Sequence, residues 1–148
     1  METSTMGRVI VSAKMENLLD LYEVTQGRLK AEEVRAVVIS DALVDTGATH
    51  LCLPQHFIQQ LGLQHYRTRK ARTSSGELRD FEMYGMVRLT IQGRECNTEV
   101  AALSDDCPAL IGQIPLELLD WVVDPIGQKL IGNPAHGGEH MMDMFSDF

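Results

Sequence analysis

Asp45, Thr46 and Gly47 stand together at the end of an apolar run, with Leu43 and Val44 before them and Leu51 and Leu53 after. A carboxylate beside buried strands is costly unless it is hydrogen bonded. A glycine two residues on lets its N–H approach that carboxylate closely, and a threonine hydroxyl both donates and accepts. The three residues read as a rigidly held carboxylate. One carboxylate does not complete amide hydrolysis, in which water loses a proton while the leaving nitrogen gains one. Two carboxylates sharing one proton meet both demands, because close like charges do not both ionise. The chain holds a single D-T-G. The second carboxylate has to come from a second copy, set opposite the first by a two-fold axis.

Other groupings are weaker. Asp and Gly also end strands in ordinary turns, so D-T-G gains weight only from its surroundings. Leu110-Ile111-Gly112 is a short apolar-apolar-glycine run late in the chain. A phosphoaspartyl site places a second carboxylate two residues after the nucleophile, where this chain has Gly47. His136 to His140 (HGGEH) lacks the spacing of the H-E-x-x-H zinc motif, and its glycines oppose a helix. No metal and no cofactor are expected.

The elements that must position Asp45 follow from periodicity. Residues 8–14 (RVIVSAK) are rich in β-branched types and predict a strand; residues 18–24 alternate imperfectly and are read as its partner. Residues 34–39 (VRAVVI) predict a buried strand leading to D-T-G. Pro54, the stripe Phe57, Ile58 and Leu61, and Gly62 predict a short helix over 54–61. Residues 72–85 predict a hairpin around Ser74-Ser75-Gly76, and 86–91 and 96–103 two further strands. A second short helix is predicted from Pro115 and a last hairpin around DPIGQ. Short strands separated by turn signals, without a βαβ pattern, indicate an all-β barrel or sandwich.

Composition narrows the classes. The 148 residues suit one core, and the net charge of -8 opposes nucleic acid or an anionic membrane surface as partner. The strongest basic cluster, 67–72 (RTRKAR), reads as an exposed face near the hairpin, with an affinity for acidic substrate side chains as a further use. Three cysteines with no C-x-x-C pair fit free thiols in a reducing compartment. No signal peptide or apolar run of spanning length is read, so the expected location is cytoplasmic.

VDTGAT at 44–49, the helix LPQHFIQQLGL, the hairpin RTSSGELRDFEMYG and Leu110-Ile111-Gly112 occur in an order that resembles the retropepsin-like aspartic peptidases, closest to the small bacterial members. The resemblance covers about 34–131. It implies a closed single-lobe barrel working as a homodimer on a peptide or protein substrate. It implies that Asp45 is catalytic, that Thr46 braces the two active-site loops with Gly47, and that Ala48, Thr49 and Ile111 contact substrate. Ser74, Ser75, Gly76 and Glu77 become the tip of a flap. Viral members carry an acid after DTGA and an arginine after the late glycine; here Thr49 and Gln113 take those places. The chain divides into an N-terminal β extension (1–33), the peptidase domain (34–134) and a flexible tail (135–148), which Met142, Phe145 and Phe148 equip to dock on a partner. The rival reading is a catalytically silent module of the same fold that dimerises or binds peptides by strand addition.

Overall fold

The computed structural model of the chain describes residues 8–142. Seven β-strands pair into one sheet in the order β1 (Val9–Asn17), β2 (Ala36–Val44), β7 (Leu110–Ile111), β3 (Leu51–Pro54), β6 (Arg94–Leu103), β5 (Leu78–Ile91) and β4 (Gln64–Arg72). A further antiparallel pairing of β1 with β5, Met15 opposite Leu89, closes six of them into a ring. This is the expected all-β barrel. Three short helices are added, α1 (Leu18–Thr25), α2 (Gln55–Leu61) and α3 (Gln113–Leu119), and β8 (Trp121–Asp124) pairs with β9 (Lys129–Gly132) as a separate hairpin. No helix of the described residues is long and apolar enough to cross a membrane.

β1 shows the local logic most plainly. Its odd-numbered residues, Val9 to Asn17, are buried and its even-numbered ones lie towards solvent, the period of a half-buried strand. Met15, Leu51, Leu53, Leu89, Ile91 and Ile111 meet inside the ring, joined by Ile58 and Leu61 of α2 and Leu119 of α3. α2 ends where Gly62 adopts the left-handed region, at φ 64°.

Two expectations are corrected. Residues 18–24 are helical, not a strand beside β1. Asn17 caps α1 by accepting from Asp20 N at 3.0 Å, and Asp20 takes two bonds from the Arg35 guanidinium, each 2.9 Å. That ion pair, fifteen residues apart in sequence, ties the helix to the entry of β2. Nor is β2 buried throughout: Val38 is 67% exposed, because it stands opposite Lys14 on the outward face of the ring.

The region expected as a free tail begins with an anchored stretch. Asp120, which ends α3 in the left-handed region at φ 59°, accepts from His136 Nδ1 at 2.7 Å and from Met141 N at 3.1 Å. His140 Nε2 lies 3.1 Å from Leu118 O. Of the suggested docking residues, Met142 is exposed, and Phe145 and Phe148 lie outside the described residues.

The His136 hydrogen bond, with help from Met141 N and Asn133 and against the cost of burial, lowers the Asp120 carboxyl from its ordinary 3.8 to about 2. A depressed folded-state pKa adds stability above the unfolded value that is lost as pH falls to the folded one. Asp120→Asn, which tolerates the same backbone angle, should therefore lower the melting temperature at neutral pH. The gap from the unsubstituted protein should close as pH drops from about 4 to about 2, as thermal melts across that window will read.

Candidate active site

Asp45 is the first residue beyond β2, and backbone bonds fix its place. Leu43 N donates to Ala109 O at 2.9 Å and Asp45 N to Ile111 O at 3.0 Å, carrying the β2–β7 pairing past the strand end. Ala48 N donates back to Asp45 O at 3.0 Å and closes a turn. Gly47 N donates to Asp45 Oδ1 at 2.9 Å. A Cβ on Gly47 would stand 3.3 Å from that same oxygen, a crowding that glycine avoids. The carboxylate is half-buried, while Thr46 and Gly47 at the loop tip are exposed.

The same loop is locked to the start of α3. Gly112 N donates to His50 O at 3.1 Å, Gln113 N to Ala48 O at 2.8 Å and Ile114 N to Thr49 O at 2.8 Å. α3 has no side-chain cap, so loop carbonyls accept from its first N–H groups instead. Gly112 marks the crossing point, where a Cβ would lie 2.4 Å from His50 O and 2.7 Å from Ala48 O. Thr49 and Gln113 thus sit together, linked through main chain rather than by a charge pair.

Asp45 opens onto a cavity of about 550 Å³ between this loop and the β4–β5 hairpin. Its floor is a small apolar cluster of Cys52, Met83 and Ala101, flanked by Phe81, Leu103 and Leu110. Its cover is the hairpin: β4 pairs with the first half of β5, Arg72 opposite Leu78, while the second half of β5 belongs to the ring. At the tip, Thr73 N donates to Glu77 O at 2.8 Å and Gly76 N to Thr73 O at 2.9 Å. Gly76 has φ 87°, a conformation that side-chain-bearing residues rarely adopt.

A D-T-G carboxylate on a strand end, a late glycine packed against its loop and a hairpin over the cavity between them agree with one sequence comparison. Residues 37–117 match the family described as gag-polyprotein putative aspartyl protease, which covers more than half of the chain. The chain belongs to this family of aspartyl-protease type. No curated protein matches the chain.

Within this aspartyl-protease frame the predicted residues divide. Asp45, Gly47, Ala48, Thr49 and Ser74 line one cavity. Thr46 faces a second cavity of about 350 Å³, beside Gln113, Trp121 and Asn133, and its hydroxyl makes no hydrogen bond among the described residues. Ser75, Gly76 and Glu77 form the exposed hairpin tip beyond the cavity. Ile111 is fully buried in the main core; it reaches the site through the carbonyl that accepts from Asp45, and its neighbour Leu110 is the one that lines the cavity.

Three lining groups escape motif reading. His50 lies partly under the loop, its Nδ1 buried without a partner among the described residues. Burial lowers its pKa, which favours the neutral ring; Glu99 opposes this, and Arg69 and Arg67 add to it. Burial pushes the Cys52 thiol up to about 11, with the nearby Asp45 charge adding to it. Cys52 is therefore a protonated wall of the cavity at neutral pH, not a competing nucleophile. Arg69 belongs to the basic stretch 67–72, whose residues form most of β4 itself. Among the described residues no group of three or more His, Cys, Asp or Glu side chains is placed to hold a metal ion.

Proposed function

We propose that the protein is a homodimeric aspartic endopeptidase in which Asp45 of each chain supplies half of the catalytic pair. The observation that carries this is that Asp45 is, among the described residues, the one carboxylate lining the 550 Å³ cavity, on a loop whose tip is exposed. Among the described residues that carboxylate has no acid partner in the cavity. The exposed Thr46 hydroxyl, unbonded among the described residues, supports a second loop meeting the first across a two-fold axis. In the reaction the ionised carboxylate takes a proton from water. The protonated one donates to the scissile carbonyl oxygen. The water oxygen adds to the carbonyl carbon to give a gem-diol; as the C–N bond breaks, the carboxyl that took water's proton passes it to the leaving nitrogen, and a diol hydroxyl returns its proton to the other carboxylate. The β4–β5 hairpin covers the peptide and limits access of bulk water. Three free cysteines support a reducing, cytoplasmic setting.

Dilution tests the reading. Specific activity on an unstructured protein substrate should fall once the chain concentration drops below the dimer dissociation constant. The same profile should appear with and without chelator. Constant specific activity in a species shown by light scattering to be a monomer would contradict it.

A further inference from the structure

β4 carries four cations in six residues, and the structure accounts for them unequally. Arg67 is paired with Glu99 at 2.6 Å. Lys70 is paired with Asp80 at 3.1 Å. Arg72 Nη1 donates to Gly76 O at 3.1 Å. The Arg69 guanidinium has neither an ion pair nor a hydrogen bond among the described residues. The hairpin register turns two of these cations inward, Arg67 opposite Met83 and Arg69, and of the two only Arg69 is without a partner among the described residues. Arg69 stands opposite Phe81, and residues opposite each other in an antiparallel pair share a face. Phe81 belongs to the cavity floor, two residues from Met83. Arg79, opposite Ala71 on that same face, is a second cation with no ion pair among the described residues. The local charge is inverted relative to the whole: the chain carries -8, yet among the described residues Asp45 is the lone anion of the cavity lining beside Arg69, Lys70 and Arg72.

A peptide laid under the hairpin would take Arg69 out of water. An unpaired guanidinium under such a cover is costly, and a carboxylate offers it a two-pronged partner. The apolar floor of Phe81, Met83, Leu103 and Leu110 takes a large apolar side chain in the same cavity. We infer that Arg69 is a specificity-determining residue, and that the preferred substrate is an extended peptide carrying aspartate or glutamate close to a large apolar residue. The inference rests on the peptidase reading above for the place of the peptide, and it concerns only which peptide is taken.

The test separates binding from cleavage. Fluorescein-labelled octapeptides are built around a Leu-Phe pair, each with one glutamate at a different position, together with their glutamine and lysine counterparts. Binding is read by anisotropy on the full chain carrying Asp45→Asn, which keeps the peptides intact. At one or more positions the glutamate peptide should bind about tenfold more tightly than its glutamine counterpart, the size of a charge-assisted, two-pronged contact. Adding Arg69→Glu should remove that preference and transfer it to the lysine peptide. Arg69→Gln should remove it without transfer, and it serves as the readout if the reversal disturbs the hairpin. Lys129→Glu, on the separate β8–β9 hairpin, should leave the preference intact. Equal binding of each glutamate and glutamine pair, or a preference that survives both Arg69 variants, overturns the inference. If the glutamate preference holds but the unsubstituted chain cleaves none of the peptides, the inference stands and the peptidase reading fails. If peptides are cleaved with no such preference, the inference fails and the peptidase reading stands.

Discussion

Asp45→Asn should reduce peptide-bond cleavage by between about a hundredfold and about ten-thousandfold, the usual yield of a positioned acid–base group. The melting temperature should hardly move. The separation follows from what the carboxylate touches. Its structural bond is the one accepted from Gly47 N by Oδ1, and an asparagine carbonyl oxygen accepts that bond equally well. Its backbone bonds to Ile111 and Ala48 do not involve the side chain. An amide does not take a proton from water, so the chemistry is lost while the loop stays. Initial rates on a casein-like substrate, beside a thermal melt of the same samples, read both quantities. A variant that cleaves at the unsubstituted rate would remove Asp45 from the reaction.

Gly112→Val should behave in the opposite way, losing cleavage and stability together. Even the first added carbon falls 2.4 Å from His50 O and 2.8 Å from His50 N. These are backbone atoms of the loop that carries Asp45, and no side-chain rotation relieves them. Room is made only by parting the loop from α3, which breaks the bonds from Gly112 N, Gln113 N and Ile114 N. Overpacking at such a site costs about 3 kcal/mol, a large share of the stability of one domain. Denaturant unfolding followed by circular dichroism measures it. An unchanged midpoint would mean that the loop and α3 are not wedged together as described.

The sequence is legible where a local signal coincides with a tertiary need. Pro54 and Gly62 bracket α2 because the backbone angles they favour are those of the helix ends. Gly76 marks the hairpin tip because the turn needs φ 87°. The D-T-G loop and the late glycine are legible because their chemistry restricts the residue types. Other features depend on partners far away. α1 is fixed by Asp20 and Arg35, which no window around Leu18 reveals. β4 is exposed at all nine positions, so it carries no hydrophobic alternation, and its strand character comes from pairing with β5. β7 is two residues long, too short for periodicity to show that Ile111 faces the core and Leu110 the cavity. The closure of the ring by β1 and β5 joins residues 70 or more positions apart. His50 belongs to no motif and only the cavity brings it to notice, whereas Arg69 lies in the basic stretch 67–72, legible as a cluster, and the cavity shows which of its cations faces the floor.

Mixing unsubstituted chains with Asp45→Asn chains tests most directly whether two copies share one catalytic pair. The two are combined in equal amounts at fixed total concentration, above the dimer dissociation constant, and allowed to exchange. If each active site takes one Asp45 from each chain, random pairing leaves about a quarter of the dimers with both carboxylates. Activity should then fall to about a quarter of that of the unsubstituted protein, as the square of its fraction. Activity of about one half, linear in the unsubstituted fraction across the mixing series, would show that each chain acts alone and would contradict the shared pair.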